Sequence, residues 1–217
     1  FAVLSLIRRK PPARGAEPPV TILKPLCGEE PELYENLRSF CRQRYPSYQL
    51  IFGVQNPRDP AVTLVERLIH EFPKEDIQLI TEPHRPMAGN RKVANLASML
   101  PAARHDLLVM ADADIRVGSE YLSALVASLS QPEVGLVTCL YRGHPMKGFW
   151  SRLAALHIDH EFLPQAVLGE ALSIGDGCFG ATIALRRSTL EAIGGFAAIS
   201  DRLADDHALG EAVRRLG

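Results

Sequence analysis

The sequence predicts an α/β fold built on a mostly parallel sheet. Three observations carry that prediction. Short β-branched apolar runs alternate with segments whose apolar residues recur at helical spacing. Most of these apolar runs stop abruptly at a polar residue. A chain of 217 residues, 47% hydrophobic and 23% charged, is also large enough for one sizeable core.

The elements follow in order. "VTILKPL" (20–26) reads as a strand, and "PELYENLRSFCRQR" (31–44) as a helix with Leu33, Leu37, Phe40 and Cys41 on one face. "YQLIFGVQN" (48–56) is a second strand, and "PAVTLVERLIHEF" (60–72) a helix opened by Asp59-Pro60. "DIQLITEP", "NRKVANLASML" and "DLLVMAD" continue as strand, helix and strand. Such alternation predicts parallel strands joined by right-handed crossovers. The second half is less regular: strands are expected in "VGLVTCLYRG" and "CFGATIALRR", and helices near 119–129, 149–168 and 204–216.

A net charge of -1 argues against a nucleic-acid binder, which carries a basic excess. The four cysteines are widely spaced with no C-x-x-C pair, which disfavours structural zinc and suits a reducing compartment. At the N-terminus "FAVLSLI" precedes "RRK". Seven residues fall short of the ~20 that span a bilayer, but the basic cluster is typical of the cytoplasmic side of a membrane helix. Residues 1–18 are therefore expected to be the end of a membrane anchor and a Pro-rich linker, with a disordered tail as the alternative. Residues 19–217 read as one α/β domain, expected to be cut short because "ADDHALGEAVRRLG" stops inside an amphipathic helical pattern.

In sheets of this kind ligands bind beyond the carboxyl ends of the strands. Those ends carry Lys24, Gln55-Asn56, Glu82 and Asp112-x-Asp114. In an extended chain residues i and i+2 point the same way, so Asp112 and Asp114 can offer oxygens to one divalent cation. Oxygen ligands select Mg²⁺ or Mn²⁺, and such an ion neutralises a diphosphate leaving group. An Asx-turn or helix cap is the bland alternative. Asp205 or Asp206 caps a helix, and the second of the pair is then free to act as a general base. Arg91 and Lys92 stand in the first turn of a helix, against its macrodipole, with Asn95 close by, which suggests an anionic ligand or else a solvated face. Lys24 either reaches a phosphate or carboxylate or is an edge lysine. Gly175, Gly177 and Gly180 around Asp176 and Cys178 suggest a tight loop that lets backbone approach a ligand. It is not a P-loop, and Cys178 has no evident base.

Taken in order, "VTILKPLCGEEPELYENLRSFCRQRYPSYQLIFGVQNPRDPA", "NRKVANL", "DLLVMADADIRV", "VGLVTCLYRG", "GCFGATIALRR", "LEAIGGF" and "LADDHALG" resemble the ceramide glucosyltransferase-like inverting glycosyltransferases. The likeness runs from about residue 19 to the end. It is greater to the bacterial hopanoid-type transferases in "GCFGATIALRR" and "ADDHALG". The resemblance implies a membrane-anchored GT-A domain that binds a UDP-sugar with Mg²⁺ or Mn²⁺. Asp112 with Asp114 would hold metal and diphosphate, Asp206 would be the catalytic base, and Lys24 and Lys92 would lie near the nucleotide or its phosphates. Asn56 stands where the family often has an aspartate contacting uracil; Asn still accepts a hydrogen bond and also donates one, and Asp59 is a substitute. The family's Q-x-x-R-W motif is absent from this chain.

The implied reaction moves a hexose to a membrane-lipid hydroxyl with inversion. N-acetylglucosamine from UDP-GlcNAc to a hopanoid such as bacteriohopanetetrol is the first reading, and glucose to ceramide the second. The implied location is the bacterial inner membrane, with the domain facing the cytoplasm. A nucleotidyltransferase or a non-catalytic sugar-nucleotide-binding domain are the rivals. "LKPLCGEEPE" is a poor version of the Gly-rich basic loop that the former needs.

Overall fold

The computed structural model describes residues 15–81, 89–172 and 178–217. The anchor reading of residues 1–14, the Glu82 strand end and Gly175, Asp176 and Gly177 lie outside them. Among the described residues six strands form one sheet: β1 (Val20–Leu26), β2 (Tyr48–Val54), β3 (Asp76–Thr81), β4 (Leu107–Ala111), β5 (Leu136–Thr138) and β6 (Thr182–Arg186). Their spatial order is β3-β2-β1-β4-β6-β5. The first four are parallel, whereas β6 runs antiparallel between β4 and β5.

The helices are α1 (Leu33–Phe40), α2 (Ala61–Glu71), α3 (Arg91–Met99), α4 (Tyr121–Leu129), α5 (Phe149–His157), α6 (Leu163–Ala171), α7 (Arg187–Ala192) and α8 (Asp205–Arg214). A π-helical turn, Ile158–Phe162, joins α5 to α6. Among the described residues no helix is long and apolar enough to cross a membrane.

Alternation along the strands builds a core on each face. Val20, Ile22, Leu50, Phe52 and Val109 pack against Leu37 and Phe40 of α1, Val65 and Leu68 of α2, and Leu122 of α4. Leu23, Ile51, Leu108 and Met110 meet Val93 and Leu96 of α3 and Leu209 of α8 on the other. The central strands are covered on both faces, which is why they read as continuous apolar runs.

The chain order reverses at β1, whose neighbours are β2 on one side and β4 on the other. This is the switch point at which a crevice opens beyond the strand ends. There α3 approaches the sheet closely. Asn95, buried, donates from Nδ2 to the Gly53 carbonyl at 2.8 Å. A Cβ on Gly53 would meet both Asn95 Oδ1 and the Met99 sulfur at 2.4 Å. Gly53 thus sets the separation of α3 from β2. Gly53→Ala is expected to destabilise the protein by about 1–3 kcal/mol through overpacking, measured as a lower urea midpoint at unchanged m-value.

Candidate active site

A cleft of about 350 Å³ occupies the switch point, lined by Leu26 at the end of β1 and Cys27 after it, Gln55 after β2, Lys92 and Asn95 of α3, and Asp112 to Asp114 after β4. The two aspartates do not continue the strand. Ile115 N–H donates to the Asp112 carbonyl at 3.3 Å, so residues 112–115 form a turn. The extended i, i+2 alignment expected from the sequence is therefore replaced by a bend, although both residues still line the cleft. Asp112 forms an ion pair through Oδ1 with Lys92 Nζ at 2.5 Å. Asp114 is exposed, and no hydrogen bond or ion pair to its carboxylate is found among the described residues.

Lys24 is neither an edge lysine nor a group open to the cleft. It lies on a central strand, 0% exposed, with Nζ 3.7 Å from the Phe40 ring centroid. That Nζ donates to the Asp112 carbonyl at 2.6 Å. Burial pulls its pKa down to about 7, against the opposing pull of Asp112, Asp114 and Glu30. Lys24 thus supports the aspartate turn from below.

Lys92 is half-buried. Burial lowers its pKa, but the Asp112 charge and hydrogen bond, together with Asp205 and Asp206, raise it overall. Its unfavourable place at a helix N-terminus is thus offset by three carboxylates. Arg91, beside it, is exposed and contacts Gln55.

Asp206 is not part of the cleft lining but lies beyond Lys92, in the first turn of α8. The N-cap of α8 is Ala204, without side-chain capping, so neither Asp205 nor Asp206 is the cap the sequence suggests; both stand in the first turn. Its Oδ1 accepts from His207 N–H at 2.8 Å and its Oδ2 from Gly180 N–H at 3.0 Å. Of the expected glycine loop, Gly180 is described, and it approaches this carboxylate; a Cβ there would lie 3.1 Å from Asp206 Oδ2. Cys178 is buried against Gly210, and burial raises its thiol pKa to about 11, which makes it a poor nucleophile.

Asn56 does not line the cleft; its Oδ1 accepts from Arg58 N–H at 3.0 Å, closing a local turn. Asp59, the substitute, already has both oxygens occupied, by Gly28 N–H at 2.8 Å and Ala61 N–H at 2.9 Å.

Two site residues escaped the sequence reading. Asn90 caps α3 by accepting from Lys92 and Val93 N–H, and its amide donates to Asp205 Oδ1 at 3.2 Å. It ties the starts of α3 and α8 together, and its signal was the Asn directly before a helical run. Glu30, after β1, faces the same cleft; burial first, then the Asp114 and Asp112 charges, raise its pKa. No motif marked it.

Oxygen-only groups fit a hard divalent cation. Among the described residues no cluster of three His, Cys, Asp or Glu converges to hold a metal alone. Asp112 and Asp114 therefore suit an ion that takes its other ligands from phosphate oxygens and water. Among the described residues the Asp114 carboxylate has no hydrogen-bond or ion-pair partner to displace.

The sheet order, the switch-point cleft and the carboxylates at the strand ends define a GT-A glycosyltransferase fold. The structure superposes on mannosyltransferase PcManGT from Pyrobaculum calidifontis, solved with GDP-Man and Mn²⁺, with TM-score 0.70 at 24% identity, covering 95% of this chain and 57% of that one. On glucosyl-3-phosphoglycerate synthase from Mycobacterium tuberculosis, solved with Mn²⁺, UDP and glucosyl-3-phosphoglycerate, the TM-score is 0.58 at 18% identity, over 92% of this chain and 67% of that one. The chain belongs to glycosyl transferase family 21, whose family model matches residues 2–217.

Among curated relatives, ceramide glucosyltransferase 1 of Caenorhabditis elegans is 25% identical over 92% of this chain and 43% of its own length. The ceramide glucosyltransferase of Komagataella phaffii is 34% identical over 52% of this chain and 23% of its own. The chain thus spans less than half the length of these relatives.

Lys24 generates a prediction. Its folded pKa of about 7 lies below the ordinary 10.5, so between those values the unfolded chain binds more protons than the folded one. Stability relative to Lys24→Met should then rise as pH increases from about 7 towards 10.5. Urea titrations of both proteins across that range check this; a pH-independent difference contradicts it.

Proposed function

We propose that this chain is the donor-binding and catalytic part of an inverting glycosyltransferase that moves a hexose from a UDP-sugar to the hydroxyl of a membrane lipid. One observation carries the reading: Lys92 is ion-paired with Asp112, and Asn90, the cap of the same helix, holds Asp205, next to Asp206. A metal-binding candidate and a base candidate therefore stand close to one helix start.

In this reading the lipid hydroxyl gives its proton to Asp206. Backbone N–H groups orient both carboxylate oxygens, and each oxygen keeps a further lone pair for that proton. The hydroxyl oxygen attacks the anomeric carbon from the face opposite the UDP. The bond from that carbon to the phosphate oxygen breaks and its electrons leave with UDP. An α-linked donor thus gives a β-linked glycolipid through an oxocarbenium-like transition state. Lys92 contributes fixed positive charge beside the departing phosphates. Asp112 and Asp114 would hold a Mg²⁺ or Mn²⁺ ion, which supplies further charge stabilisation to the diphosphate. Lys24 acts from beneath, by holding the turn.

The specific reading is transfer of N-acetylglucosamine from UDP-GlcNAc to a hopanoid such as bacteriohopanetetrol, at the cytoplasmic face of a bacterial inner membrane. It rests on the resemblance in "GCFGATIALRR" and "ADDHALG". The second reading, glucosylation of ceramide, is supported by the names of the curated relatives. A UDP-release assay on the full-length protein in detergent, crossing UDP-GlcNAc and UDP-glucose with both lipids, separates the two.

Asp206→Asn should lower turnover by about 10²–10⁴-fold while calorimetric UDP-sugar affinity is retained. Wild-type turnover in that variant removes the base assignment. Asp112→Ala should abolish the gain in UDP affinity that Mn²⁺ gives the parent, and an undiminished gain on calorimetry contradicts its role.

A further inference from the structure

From residue 134 to residue 158 the chain has no acidic side chain but carries Arg142, Lys147 and Arg152, with His144 and His157. Helix α5 lies in this stretch and turns its apolar residues outward. Phe149 is 70% exposed, Trp150 76%, Leu153 46% and Leu156 55%. Positions 149, 153 and 156 stack along one line of a helix, with Trp150 at its flank.

Beneath that face the helix is tied to the loop that precedes it. Gly143 lies so close to Ala155 that a Cβ on it would come within 2.5 Å of the Ala155 Cα. Asp159 Oδ1 accepts from Gly143 N–H at 2.7 Å, and Ser151 Oγ accepts from Met146 N–H at 2.8 Å. Tyr141 stacks on Phe162 at 4.8 Å, and Phe162 meets the Phe179 ring at 5.4 Å, next to Gly180, whose N–H donates to Asp206. The same packed segment therefore reaches from the outward face to the candidate site.

We propose that α5 lies flat on an anionic bilayer, with Phe149, Trp150, Leu153 and Leu156 in the headgroup–acyl boundary and Arg142, Lys147 and Arg152 facing lipid charges. Interfacial aromatic residues, flanking cations and a length too short to span fit a helix in the membrane plane. This contact lies within the chain itself and needs no anchor outside it. Its purpose, bringing a lipid hydroxyl to Asp206, rests on the proposed function. The contact itself does not, because vesicle binding requires no turnover.

Trp150 is the only tryptophan, so its emission reports this site alone. Phosphatidylserine-containing vesicles should move that emission to shorter wavelength, and brominated lipids should quench it. Neutral phosphatidylcholine vesicles, or high salt, should weaken both effects. Lys147→Gln and Arg152→Gln should each lower partitioning roughly fivefold on the anionic vesicles. Leu153→Glu with Leu156→Glu should lower it about tenfold or more, with circular dichroism confirming that the variants remain folded. Trp150 emission unmoved by vesicles overturns the proposal, including the case where the chain co-sediments through another segment. A shift that follows protein concentration without vesicles overturns it as well, by assigning the face to a second copy.

Discussion

The candidate site depends on how Asp112 is held. Its carbonyl accepts from the buried Lys24 ammonium at 2.6 Å and its carboxylate pairs with Lys92 at 2.5 Å. One lysine comes from the middle of the sheet and the other from the helix that crosses it. A fully buried lysine on a central strand is costly, and an apolar residue there would pack more readily. Its partners explain its place: the Phe40 face on one side, the turn carbonyl ahead, and three carboxylates beyond. Among the described residues the turn after β4 is otherwise held by the Ile115 N–H on the Asp112 carbonyl, the Asp112 N–H on the Ala181 carbonyl and the Lys92 ion pair.

The same network separates two chemical roles. Asp112 and Asp114 belong to the end of β4, whereas Asp206 belongs to α8 and is oriented by the Gly180 backbone. Asn90 joins the two halves, capping α3 with its oxygen and reaching Asp205 with its nitrogen. A group held at the strand ends and a group approaching from the α8 side would therefore meet different carboxylates. That arrangement suits a displacement whose leaving group and nucleophile stand on opposite sides of one carbon.

Much of the fold was legible because parallel, doubly covered strands show themselves as apolar runs, and amphipathic helices by their period. β1 to β4 and α1 to α4 fall where those patterns lie. Strand direction leaves no such trace, so the antiparallel insertion of β6 between β4 and β5 went unseen. So did the turn at Asp112: local sequence does not say whether a chain leaving a sheet continues straight or bends, and here a lysine 88 residues away helps to close the bend. Lys24 looked like a surface or ligand-facing charge because sequence carries no burial label for one polar residue in an apolar run. Glu30 was invisible for the opposite reason, being one acid among several in an exposed loop. Asn56 and Asp59 were singled out as nucleotide contacts; Asn56 Oδ1 accepts from Arg58 N–H, and the Asp59 oxygens accept from Ala61 N–H and the distant Gly28 N–H.

The central claim is that the strand-end aspartates hold the leaving group while α8 supplies the base. A crystal structure of the full-length protein with Mn²⁺ and a non-hydrolysable UDP-sugar tests it most directly, using the manganese anomalous signal. The account predicts manganese at Asp112 and Asp114, the diphosphate beside Lys92, and the anomeric carbon open towards Asp206. Manganese and diphosphate bound away from these aspartates, or a sugar facing away from Asp206, would contradict it.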